Sequence, residues 1–123
     1  MQKIQIPIGM FSKGSVIYID FPYEDSQSKS KKRPAIVVDF NEKSTRVIIL
    51  KVTTQGIRTE YDYPLLNAEM ANLMQGSVVR CNHTLTLDNS FKCEKHGSLS
   101  RQDAMAVQLL YTKAVYDNAV VQI

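Results

Sequence analysis

The stretch Lys31-Lys32-Arg33-Pro34 runs directly into Ala35-Ile36-Val37-Val38. This order sets a fixed cation at the mouth of a buried-type strand. A guanidinium is permanently charged and forks two N–H bonds onto a phosphate or carboxylate. The proline fixes its own φ, biases Arg33 toward an extended backbone and offers no donor, so Arg33 is aimed by a stiff chain. A second apolar run ends in Val52-Thr53-Thr54-Gln55, where two hydroxyls and an amide emerge into solvent. A third reads Val78-Val79-Arg80-Cys81-Asn82-His83. Strand alternation puts Arg80 and Asn82 on one side and Val79, Cys81 and His83 on the other. An arginine and an amide on an otherwise apolar strand are costly unless they meet each other, a loop or a ligand. Each group also has a plainly structural reading. Residues 31–33 could be a solvated loop tip, Thr53 and Thr54 could satisfy their own backbone, and Arg80 could pair with Asp39, Glu42 or Glu60. His83, where the strand should bend, titrates nearest neutrality. His96, beside Gly97, reads as exposed and uninvolved. Two separated histidines and two separated cysteines make no zinc set. There is no Gly-rich phosphate loop and no nucleophile elbow. Neither metal nor cofactor is expected.

These groups need strands to carry them. Residues 15–22 alternate and are rich in β-branched and aromatic side chains, the pattern of a strand. Residues 23–32 read as a long polar loop, 33–40 as a second strand, 41–44 as a turn and 45–53 as a third strand. Residues 60–66 suggest a fourth, edge-like strand because Pro64 removes a ladder donor. Residues 67–73 suggest a helical turn. Residues 76–83 give a fifth strand that 84–88 continue or bend, and 93–99 a short last one kinked at Gly97. The period then changes. Ser100 is placed to cap a helix, with Asp103 three residues on as a capping-box variant. Ala104, Val107, Leu110, Tyr111, Ala114 and Val115 form a helical stripe that stops at Asp117-Asn118. The apolar tail 119–123 is left to pair with a strand or with another copy of the chain. The fold expected is mainly β with a C-terminal helix over 100–118: a small, strongly bent, SH3-like barrel closed on one side by that helix.

Composition limits the class. A chain of 123 residues suits one domain over 1–123, with 1–13 an N-terminal extension. No apolar run of roughly 18 residues exists to span a membrane, and the first residues lack the apolar core of a secretion signal. Cys81 and Cys93 are then expected reduced in a cytoplasmic protein. A net charge of +3 permits nucleic-acid binding without arguing for it; the clustering of 29–33 matters more.

The order of these pieces resembles a known family. Gly14 to Phe21, Lys32-Arg33-Pro34-Ala35-Ile36-Val37-Val38, Val52-Thr53-Thr54-Gln55, Gly76 to Cys81, Thr86-Leu87-Asp88 and the terminal helix are similar to the MazF/PemK (Kid-type) toxins of toxin–antitoxin modules. The likeness covers roughly 14–116. It implies an SH3-like barrel with an added helix and a homodimer. It also implies metal-independent, sequence-selective cleavage of single-stranded RNA, and an antitoxin partner whose tail covers the RNA groove. Arg33 matches the family's loop arginine at the scissile phosphate, Thr53 the hydroxyl that joins it, and Arg80 the second arginine of PemK-like members. Asn82 stands where those members carry an acid, and His83 follows it in place of a frequent Gln.

The chemistry this implies can be reasoned directly. Metal-free cleavage needs the 2′-OH to attack phosphorus, a base for its proton, an acid for the leaving 5′-oxygen, and cations for the added charge. Arg33 and Arg80 would supply the cations, Thr53 a hydrogen bond, and His83 the titrating group, with Glu24 or Asp25 as the alternative base. Lys31, Lys32, Thr54, Gln55 and Asn82 are the RNA-binding candidates, with Lys29 as a further steering charge. Two other readings stay open: a non-catalytic RNA- or antitoxin-binding barrel, consistent with Asn82, and a gyrase-poison-like protein that shares the barrel.

Overall fold

The computed structural model describes residues 4–23, 26–41, 43 and 45–123, with side chains outside 21–31. The chain runs β1 (Ile6–Pro7), a 3₁₀ turn (Ile8–Met10), β2 (Ser15–Tyr23), β3 (Ser26–Phe40), β4 (Arg46–Thr53) and β5 (Asp62–Pro64). After a second 3₁₀ turn (Glu69–Ala71) come β6 (Val78–Asp88), β7 (Lys92–Cys93), β8 (Lys95–Ser98), α1 (Arg101–Tyr116) and β9 (Val121–Gln122). The main sheet is ordered β5-β6-β4-β3-β2-β8, with β9 added beside β6 and β1 paired separately to β7. The class is the expected one, mainly β with a terminal helix. Among the described residues, however, the ladder ends at β5 and β8 and does not close into a barrel.

Both faces of the sheet are covered, so the central stretches of its strands are apolar on both sides. Ile36, Val38, Leu50, Val52, Val79 and Cys81 form one core with Val107 and Tyr111 of α1. Ile17, Ile19, Ala35, Val37 and Ile49 form a second on the opposite face with Ile8 and Phe11. Ile8 and Phe11, from the stretch before β2, close the second core.

The polar loop expected over 23–32 is largely a β-hairpin. β3 begins at Ser26 and pairs β2 from there, with an irregularity at Pro22/Tyr23. The backbone is paired there even though the sequence of 26–32 offers no apolar face. Arg33 therefore lies inside β3, opposite Ile19. Pro34 sits one residue past the last β3–β4 pair, Ala35 with Lys51, where a missing donor costs little.

The helix starts as expected, with Ser100 Oγ accepting from the Asp103 N–H at 3.1 Å. Asp103 does more than favour the helix end. Its carboxylate accepts from Tyr63 OH at 2.7 Å, Leu66 N–H at 3.0 Å and Asn67 N–H at 2.9 Å, which docks α1 on the segment after β5. Val107, Tyr111 and Ala114 complete the contact, while Val115 of the expected stripe is exposed. Burial of the two larger ones contributes about 1.5–3 kcal/mol each. Gly97 in β8 has a steric reason: a Cβ there would stand 2.5 Å from Ala71 O. The tail pairs with its own chain, Val121 and Gln122 lying parallel to His83 and Thr84.

Candidate active site

Sheet register collects the candidate residues. Ala35 stands opposite Lys51, Lys51 opposite Arg80, and Arg80 opposite Asp62. Residues directly opposite one another share a face. One step of two residues along the same ladder brings Arg33 level with Thr53, just beyond the last β3–β4 pair. Arg33, Thr53 and Arg80 therefore lie on one face of three successive strands. At ordinary strand spacing the two arginine Cα atoms are about 12 Å apart, within reach of two converging long side chains.

The arginines differ in environment. Arg33 is half-exposed, and no described group forms an ion pair or side-chain hydrogen bond with it. Arg80 is sealed, its side chain 5% exposed, and its Nη1 donates to Asp62 Oδ2 at 2.5 Å. Asp62 replaces the three acids expected as partners. Asp39 instead faces Lys13 at 3.6 Å and Glu60 meets Lys113 at 2.7 Å, and Glu42 lies outside the described residues. Cross-strand register decides the pairing, since Asp62 is directly opposite Arg80 on β5.

Thr53 is buried. Its Oγ1 accepts the Gln55 N–H at 3.2 Å, which leaves the hydroxyl proton to be donated outward. Thr54 and Gln55 are exposed, and Gln55 Oε1 accepts from Arg58 Nη2 at 2.9 Å. Asp62 Oδ2 also takes the Arg58 N–H at 2.8 Å and the Thr59 N–H at 3.2 Å. From above, the end of α1 grips the same loop. Tyr61 OH donates to Asp117 at 2.8 Å, and Lys113 reaches Glu60 and Asp117 at 2.7 Å each. The Asp117 hydrogen bond raises the Tyr61 pKa.

His83 departs from simple alternation. β6 carries a bulge: Arg80 opposes Lys51 while Thr84 opposes the adjacent Leu50. Three residues, 81–83, are looped out between those pairs, which inverts the parity of everything beyond. Leu85, opposite Ile49, packs on the second core. The bend expected at His83 is this bulge, so alternation from Arg80 does not carry through to it. Asn82 Nδ2 donates to Ala119 O at 3.2 Å, so its Oδ1 is turned to His83 Nδ1 at 3.0 Å. That geometry makes Nδ1 the donating nitrogen of the ring.

Lys32 is set apart from this face. It stands opposite Asp20 and lines a groove of about 910 Å³ with Tyr18, Phe91, Lys92, Lys95 and His96. The side chains of Lys29 and Lys31, and all of Glu24 and Asp25, lie outside the described residues. Cys81 is no nucleophile: burial, then the charge of Asp62, push its thiol up to about 12. Sequence reasoning missed Lys51, Arg58 and Asp62. The available signal was Asp62, the one of two carboxylates in the edge-like segment 60–66 that lies between its aromatic residues Tyr61 and Tyr63.

A family model described as PemK-like, MazF-like toxin of type II toxin–antitoxin system matches residues 12–110. The chain belongs to this family. No curated protein matches this PemK/MazF-like chain in sequence. Solved structures with the same fold include an endoribonuclease in complex with its cognate antitoxin from a mycobacterial species. It has a TM-score of 0.65 at 15% identity, with 85% of this chain and 93% of that one covered. MazE–MazF from Deinococcus radiodurans gives 0.63 at 16%, covering 85% and 94%. The Mycobacterium tuberculosis toxin MazF-mt6 gives 0.55 at 18%, covering 82% and 96%. The PemK/MazF-like family thus spans both the arginine-bearing strands and most of the terminal helix.

Proposed function

We propose that this toxin is an endoribonuclease that cuts single-stranded RNA by attack of a ribose 2′-OH on the adjacent phosphorus, without a metal ion. The observation that carries the reading is the placement of Arg33 level with Thr53 on the face that also bears Arg80. Arg33, half-exposed and without a described partner, binds the non-bridging oxygens of the scissile phosphate in a bidentate fork. Thr53 donates its free hydroxyl proton to the same phosphate. Arg80, neutralised by Asp62, supports the site from beneath through its remaining N–H groups. His83, oriented by Asn82, takes the 2′-OH proton. The 2′-oxygen bonds to phosphorus, the P–O5′ bond breaks, and the 5′-oxygen leaves with a proton from the imidazolium. A 2′,3′-cyclic phosphate and a 5′-hydroxyl result.

Thr54, Gln55 and Arg58 sit where they would meet flanking nucleotides, and Lys31 and Lys32 would steer the phosphate chain. An antitoxin partner follows from family membership, as solved relatives of this fold are complexes with antitoxins. A homodimer and a cytoplasmic location belong to the same reading. A binding-only protein is favoured by one observation: the Asn82 amide, where PemK-like members carry an acid, is spent on the tail and on His83. Incubation of a long single-stranded RNA with the protein and excess chelator separates the two. Discrete fragments with 2′,3′-cyclic phosphate ends support cleavage; intact RNA in a stable complex supports binding alone. Inhibition of DNA supercoiling would point to the gyrase-poison alternative.

A further inference from the structure

We propose that Asp62 is a positioning residue of this site, one that sets Arg80 and the loop 55–61 without touching RNA. The inference rests on the nuclease reading above. Three donors from two elements converge on one oxygen: the Arg58 and Thr59 N–H groups and Arg80 Nη1 all reach Asp62 Oδ2. The loop so held returns to the reacting groups. Arg58 bonds Gln55, and the Gln55 N–H bonds Thr53 Oγ1. A continuous chain of hydrogen bonds thus runs from the Arg80 guanidinium to the hydroxyl at the phosphate. Among the described residues it is Asp62, not Asn82, that places a carboxylate on Arg80.

The pair is also unsaturated. Asp62 Oδ1 and Arg80 Nη2 are buried with no hydrogen-bond partner. An ion pair serving stability alone is best made side-on, with both oxygens and two nitrogens engaged. Here the contact is end-on, and one cationic N–H₂ group is held in reserve on the face that carries Arg33. Unpaired buried donors are rare and call for a partner. Sealed from solvent, that Nη2 fits a buried water that links it toward the phosphate site. Asp62 orients the guanidinium beneath the site, and it fixes the loop that presents Thr53, Gln55 and Arg58. A shift of about 1 Å in such groups costs on the order of a hundredfold in rate.

The test compares Asp62→Asn, Asp62→Glu and wild type for kcat and KM on a long single-stranded RNA. Val107→Ala serves as a control that loosens α1 packing away from the loop. Asp62→Asn is expected to lower kcat about a hundredfold with KM little changed, while Asp62→Glu, which keeps the charge, falls between it and wild type. Val107→Ala, measured where it is folded, keeps the wild-type kcat. If Asp62→Asn does not fold, Asp62→Glu decides: a kcat loss beyond that of Val107→Ala supports the role. A folded Asp62 variant with wild-type kcat, or one no worse than Val107→Ala, overturns it while leaving the nuclease reading intact. A wild type that cleaves no RNA is the separate outcome that removes the nuclease reading, and this role with it.

Discussion

Asp62 and Arg80 face each other across the β5–β6 pair, carboxylate to guanidinium, with side chains 1% and 5% exposed. Removing one partner leaves a buried charge without compensation. Asp62→Ala is expected to cost about 3–5 kcal/mol, whereas Asp62→Leu combined with Arg80→Met is close to neutral or stabilising. Chemical denaturation of the three proteins checks this. Equal losses in the single and double variants would show that the pair is not what the region depends on.

Asp103 anchors the helix. Burial opposes its charge, but the hydrogen bonds from Tyr63, Asn67, Leu66 and Ser100 outweigh burial and hold its carboxyl below the usual range. A lowered folded pKa gives stabilisation that is present above about pH 4 and lost as pH falls through the folded value. Asp103→Asn is expected to cost about 2–3 kcal/mol at neutral pH and to flatten the acid limb of the stability curve. Urea unfolding from pH 2 to 7 reads both effects.

Tyr63 behaves with the opposite sign. Burial and then its bond to Asp103 raise it to about 12. Its contribution is complete below pH 10 and declines as pH rises through about 12. Tyr63→Phe should remove that alkaline component. Stability curves that fall in parallel between pH 10 and 12 would contradict it.

Lys32 lies beside the groove with Tyr18 and His96, away from the Arg33 face. As a phosphate-steering charge it adds about one unit to the slope of log affinity against log salt. Lys32→Glu should weaken RNA binding uniformly across sequences and reduce that slope, leaving the cleavage pattern unchanged. An unchanged slope would restrict Lys32 to solvation.

The sequence made much of this legible, because both periods were clean where burial was one-sided or complete. Ser100 and the Val107, Tyr111, Ala114 stripe marked the helix, and the Pro64 segment marked an edge strand. The polar half of the β2–β3 hairpin was hidden because its sequence carries no alternating apolar pattern to mark strand pairing. The bulge at 81–83 was legible only as a bend at His83, because register shifts depend on a partner strand. The partner of Arg80 was missed for the same reason: pairing across β5 and β6 is a matter of register, and nearest charges in sequence do not reveal it. Arg33 and Thr53 were legible because each stands at the end of an unbroken apolar run.

The central claim is that Arg33, on the face it shares with Thr53 and Arg80, holds the phosphate that is cut. The most direct measurement is single-turnover cleavage of a long single-stranded RNA, in chelator, by wild type and Arg33→Ala, with thermal unfolding of both. The expected result is discrete cleavage by wild type, a loss of about 10²–10³ in rate for Arg33→Ala, and unfolding curves within about 0.5 kcal/mol of each other. A folded Arg33→Ala protein that cleaves at the wild-type rate would contradict the account.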